Sequence, residues 1–172
     1  MGCTILKNKM IFFSMIKRIA MTARQRILRK LVNLYPPFMG AGIRISFDET
    51  ANKVNVKMKL SWYNRNYVGT HFGGSLYAMC DPFYMILLMD ILGKEYIVWD
   101  KAAKIDFVKP GRSTVFAEFY IPDERIAQIK KEVDKKGKAL PEFIAEVKDE
   151  QGEIIARVHK YIYVKKKDAR KQ

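Results

Sequence analysis

The stretch NYVGTHFGGSLYAMCD, residues 66–81, passes from a polar loop into a strongly apolar run. Asn66 stands three residues before Gly69, and the pair Gly73-Gly74 precedes Leu76, Tyr77, Met79, Phe83 and Tyr84. Asp81 is the one acid in that run. A carboxylate among apolar neighbours must find a partner, shift its pKa or do chemistry. Paired glycines ahead of a helix let a ligand approach the backbone N–H groups at its positive end. The spacing predicts a long apolar helix over about 74–92, with Pro82 kinking it just after Asp81 by removing an N–H and crowding the carbonyl of Ala78.

Working outward, residues 22–35 carry Ile27, Leu28, Leu31, Leu34 and Tyr35 at helical spacing, and Pro36-Pro37 is expected to stop that helix. Ile43, Ile45 and Phe47 alternate with polar residues, as do Val54, Val56, Met58 and Leu60, which predicts a hairpin turning near 50–52. After Gly93, strands are expected over 96–109 and 114–121, then a final hairpin of 143–148 and 154–165 around Gln151-Gly152. Between them lies a helix near 122–137. Pro122 opens it, Asp123 and Glu124 occupy its first turn, and Gly137 follows Lys135-Lys136 at its end. Ile126, Ile129 and Val133 form its apolar stripe. In the last strand His159 alternates against Val158 and Ile162 and reads as surface. The expected class is α+β: a long central helix wrapped by a curved antiparallel sheet, with an extra N-terminal helix and an inserted helix near 122–137.

The motif resembles that of hotdog-fold thioesterases of the phenylacetyl-CoA thioesterase type, N-x-x-G-x-x-H-G-G followed seven residues later by Asp or Glu. Asn66, Gly69, Gly73, Gly74 and Asp81 fall on it, and KIDFVKPGR at 104–112 is similar to the strand that follows the family's helix. The resemblance spans roughly residues 40–164. It departs at one position, where the family's His is Phe72 and His71 lies one residue early. A branch of hotdog domains without assigned function similarly reads FGG for HGG. The resemblance implies an acyl-thioesterase acting on a coenzyme A thioester or on acyl groups held by an acyl carrier protein. It also implies a homodimer or higher homo-oligomer with the site shared across the interface. No cofactor or metal is expected.

Thioester hydrolysis requires a polarised carbonyl, an activated water or a carboxylate nucleophile, and room for the acyl chain. Asp81 could attack directly or take a proton from water, and Asn66 could orient the water or the carbonyl. The amides near Gly73 and Gly74 could hold the developing oxyanion, with His71 and Phe72 beside them against the substrate. Each has a plainer alternative. Asp81 could be a structural ion-pair partner, Asn66 a turn cap, the glycines a packing device and His71 a loop residue. Lys101 falls among Ile97, Trp99, Ala103, Ile105 and Phe107 on one expected strand face, where a buried ammonium would need an anion. It either pairs with Asp81 or the ligand, or turns to solvent at a bulge. A non-catalytic acyl-ligand binding module is the alternative to an enzyme.

Composition bounds these readings. A chain of 172 residues with 49% hydrophobic and 12% aromatic residues fits one packed domain, expected over 21–165. Residues 1–20 read as a disordered extension or a misassigned start, and 166–172 as a basic tail. MIFFSMI at 10–16 is too short for a membrane span, and none is expected. Cys3 and Cys80 give neither a disulfide framework nor a metal spacing, which fits a reducing cytoplasm. The net charge of +14 favours anionic partners. With no nucleic-acid-binding motif, coenzyme A phosphates or an acidic carrier are favoured over nucleic acid.

Overall fold

The computed structural model describes residues 27, 29–48 and 53–167. The expected 1–20 extension, the start of the first helix, the 50–52 turn and the end of the basic tail lie outside the described residues. Helical residues lead into a 3-10 turn at Val32–Leu34, and Tyr35 is extended. Pro36-Pro37 then do more than stop the first helix, because they open a second one, α1 (Pro36–Ala41). The fixed φ of proline suits a helix start, where its missing N–H costs nothing. Gly42 ends α1 at φ 72°, and a Cβ there would meet Tyr63 Oη at 2.9 Å.

The strands are β1 (Ile43–Asp48), β2 (Lys53–Met58), β3 (Tyr96–Phe107), β4 (Val115–Tyr120), β5 (Lys138–Ala139), β6 (Glu142–Asp149) and β7 (Ile154–Lys166). They form one seven-stranded antiparallel sheet in the order β1-β2-β4-β6-β7-β3, with the short β5 also on β7. Period-two alternation sends Ile43, Val54, Val56, Met58, Val115, Phe119, Ala145, Val147, Val158 and Ile162 to a single buried face. A register slip of one residue would expose that whole set.

Against this face lies the apolar segment, divided into α2 (Gly73–Ala78) and α3 (Phe83–Leu92). The expected continuous helix with a kink is therefore a helix broken over 79–82, with a cis peptide bond between Asp81 and Pro82. Proline lacks the N–H that would carry the ladder on and disfavours helical backbone in the residue before it. The break leaves Asp81 outside both helices. Phe83, Tyr84, Leu87, Leu88 and Leu92 bury the inner side of α3. The Tyr84 ring stacks on Phe143 at 4.7 Å, and its hydroxyl donates to the Ile144 carbonyl at 3.0 Å. By length and composition residues 73–92 could cross a bilayer, yet half of them are buried within this fold.

The inserted helix is α4 (Asp123–Lys136), capped as expected, with Ile126, Ile129 and Val133 buried. A helix laid across a curved antiparallel sheet, with α4 and the N-terminal segment added, is the hotdog arrangement expected from the sequence.

β3 is an edge strand paired only to β7 among the described residues. A bulge between Asp100 and Ala102 shifts its register and inverts its alternation. Tyr96 and Val98 pack on the core before the bulge, and Ile105 after it. The single face expected for Ile97, Trp99, Lys101 and Ala103 thus does not form, and Trp99 lies outward, stacked on Tyr163 at 5.6 Å.

Candidate active site

Two clusters of polar side chains flank α2. The first gathers on Lys160 of β7, whose side chain is 0% exposed. Its ammonium bonds Asp81 Oδ1, donates to Tyr77 Oη at 3.4 Å and pairs with Asp100 Oδ2 at 3.2 Å. The Tyr77 hydroxyl also reaches Asp81 Oδ1 at 3.4 Å. Burial opposes the charge of Lys160, but Asp81 and Asp100 outweigh it and hold its pKa above the usual lysine value. Burial lifts the Asp100 carboxyl above the ordinary range against the pull of Lys160, and the proximity of Asp81 lifts it further. The Asp81 side chain stays 40% exposed and that of Asp100 23%. The cluster is therefore an anchored cation with two carboxylates, of which Asp81 is the more open.

Lys101 sits at the bulge, exposed to solvent. The partnership with Asp81 weighed for Lys101 is made instead by Lys160. A signal for Lys160 was present in the sequence: the alternation that turns His159 outward sends Lys160 inward beside Val158 and Ile162. His159 is part-exposed, its Nδ1 2.8 Å from Glu142 Oε1. Cys80 is buried, and burial pushes its thiol up to about 12, which removes it as a nucleophile.

The second cluster is the loop before α2. Asn66 Oδ1 accepts from the amides of Val68 and Thr70 at 3.1 and 3.0 Å, while Nδ2 donates to Thr70 Oγ1 at 2.9 Å and the His71 carbonyl at 3.3 Å. Its amide group is thus spent inside its own loop, which Gly69 closes at φ 79°. That loop presents His71, which is 3% exposed. His71 Nε2 lies 2.8 Å from the Ser113 carbonyl, which can only accept. The proton therefore sits on Nε2, and the lone pair of Nδ1 is buried without a partner. Burial lowers the His71 pKa, against the raising effect of the Ser113 carbonyl, so the ring is neutral.

His71 lines a cleft of 420 Å³ with Asn66, Gly73, Leu76, Phe107 and Arg112. Gly73 and Gly74 begin α2, so their amides have no partner within it. Aromatic rings fill the side-chain side of both glycines. A Cβ on Gly73 would meet Phe107 at 2.9 Å, and one on Gly74 would meet Phe72 at 2.5 Å. Phe72 and Phe107 are both more than half exposed. Asp81 is not among the residues lining this cleft. Asn66, His71 and Gly73 thus share one cluster with Phe72 and Gly74 at its edge, and Asp81 belongs to the other. No three His, Cys, Asp or Glu side chains among the described residues converge as metal ligands would.

This fold is the hotdog fold. The chain belongs to the family described as a domain of unknown function, DUF4442, whose model matches residues 23–164. Among solved structures it resembles a Pseudomonas aeruginosa protein of unknown function described as a probable thioesterase. That match has a TM-score of 0.70 at 21% identity over 83% of this chain and 96% of the other. A Chlorobaculum tepidum protein of unknown function matches with a TM-score of 0.65 at 18% identity, over 83% and 94%. A thioesterase from Haemophilus influenzae matches with a TM-score of 0.60 at 14% identity, over 87% and 94%. At these identities the shared property is the fold. No curated protein matches the chain.

Proposed function

We propose that this chain hydrolyses acyl thioesters carried by coenzyme A or by an acyl carrier protein, with Asp81 as the general base that activates water. The observation that carries this reading is the open carboxylate of Asp81 held by the wholly buried ammonium of Lys160. Burying a lysine costs several kcal/mol in desolvation, and a buried ion pair is a poor source of stability. An ionised carboxylate fixed at the break of the central helix is the gain that would offset such a cost. The cleft supplies the complementary parts. The amides of Gly73 and Gly74 would polarise the thioester carbonyl, with the Phe72 and Phe107 rings packed beside them. Arg112 at the cleft and the overall positive charge favour a phosphate-bearing carrier.

Because Asp81 and the cleft lie in separate clusters, the reading includes a homodimer that brings the base of one copy to the amides of another. The outer edge of β3, twelve residues long and without a strand partner among the described residues, is the place for it. The proposed setting is the reducing cytoplasm, consistent with the free thiol of Cys80.

A second reading, a non-catalytic acyl-ligand binder, is favoured by the same aromatic cover on Gly73 and Gly74. Free-thiol release from short, medium, long and aromatic acyl-CoAs, paired with calorimetric binding of each, separates the two. Turnover supports hydrolysis. Binding across the panel without thiol release supports the binder and contradicts the enzyme.

A further inference from the structure

Resting on the hydrolytic reading, we infer that Asp100 is a second catalytic carboxyl group, the acid that protonates the departing thiolate and then recovers its proton from Asp81. Asp100 faces inward on the same parity as Tyr96 and Val98, at the last position before the bulge shifts the register of β3. Its register partner is Ile162, on the same face of β7 as Lys160. The bulge keeps the residue that follows, Lys101, out of this face.

Asp81 and Asp100 converge on one ammonium, and the proximity of Asp81 helps to raise the Asp100 carboxyl. Two carboxylates on one cation disfavour double ionisation, whereas one proton held between the pair relieves the repulsion. Asp100 Oδ1 is buried without a hydrogen-bond partner, a placement costly for a bare anionic oxygen. The groups facing Asp100 are Lys160 from β7 and Tyr77 and Asp81 from the segment containing α2, with the buried thiol of Cys80 behind them. Lys160 is the one cation of the set, so a single proton shared by the two carboxyls leaves the cluster neutral.

The proton account closes over one turnover. Asp81 takes a proton from water as the water oxygen forms its bond to the thioester carbon. The tetrahedral intermediate then collapses, the C–S bond breaks, and the sulfur takes the proton from Asp100. The proton now on Asp81 passes to Asp100, its neighbour on Lys160. Acid and thiol leave, and no oxidant, reductant or metal is required.

The test uses two substrates with the same acyl group, acyl-CoA and a nitrothiophenyl thioester whose thiolate leaves without a proton. Asp100→Asn is expected to lower kcat on acyl-CoA by about 100-fold and on the nitrothiophenyl ester by less than about 3-fold, with Asp100→Glu restoring part of the first loss. Equal losses on both substrates, or none on either, overturn the acid role while leaving hydrolysis by Asp81 standing. Where Asp100→Asn does not fold, wild-type pH profiles decide. The acid role requires kcat on acyl-CoA to fall with rising pH while the nitrothiophenyl ester shows no such fall; parallel profiles overturn it. Thiol release from neither substrate by wild type removes the hydrolytic reading itself, and this assignment with it.

Discussion

Lys160 and Asp81 meet with opposite exposures: the lysine side chain is entirely buried and the carboxylate two-fifths open. The cation is a fixed part of the core and the anion is the working face it presents. Tyr77 and Asp100 complete the shell around the ammonium.

Lys160→Met removes the cation and leaves two carboxylates facing each other. Breaking a buried pair costs ~3–5 kcal/mol, but Asp81 is open enough for solvent screening to reduce that to roughly 1–3 kcal/mol. Adding Asp100→Asn should restore part of the loss, since the remaining repulsion disappears with it. Urea unfolding of both single variants and the double variant measures the coupling; strict additivity would contradict the shared cluster.

Asp100 gives stability a pH signature. Its carboxyl is raised in the folded chain, so folding favours its protonated form. That contribution is full below the unfolded carboxyl's pKa and is lost as pH rises through the higher folded value. Asp100→Asn lacks this loss and should therefore gain on wild type as pH rises through that window. Thermal unfolding of the two proteins at pH 3 and pH 7 gives the sign directly.

Asn66→Ala should act through the loop. Four hydrogen bonds of its side chain hold residues 66–71 together. Losing them should cost roughly 1–3 kcal/mol and loosen the backbone that presents His71. Hydrogen exchange at the amides of Val68 and Thr70 should rise more than that of the sheet.

Lys101→Ala should do almost nothing. The side chain is exposed at the bulge, so stability should stay within about 0.5 kcal/mol of wild type. Turnover should persist as well. Comparing Lys101→Ala with Lys160→Met in the same assays distinguishes the two lysines that strand alternation alone confuses.

Most of the sheet was legible because its signals are local and repeated. The alternation of Val54, Val56 and Met58, and the proline, acidic turn and final glycine of α4, each mark their element in several residues at once. Asp81 was legible as the lone acid of an apolar run. Lys160 was not, because one lysine in a basic chain draws no notice until the strand's parity is followed through it. The bulge left no mark in composition, yet by inserting one residue at Lys101 it lets Tyr96, Val98 and Asp100 face inward before it and Ile105 after it. Pro82 announced a bend, and the structure carries it to a full break that sets Asp81 free of both helices. His71 looked like an ordinary loop residue, because its burial depends on Ser113 and Gly111, both about forty positions away.

The most direct measurement is the rate of free-thiol release from a responsive acyl-CoA by wild type and Asp81→Asn, with both proteins shown to be folded by thermal unfolding. Asparagine keeps the shape of the side chain and removes its basicity, so the account predicts a fall in kcat of about 10²–10⁴-fold. Wild-type turnover that survives intact in folded Asp81→Asn would contradict it, because the carboxylate that Lys160 holds would then have no part in the reaction.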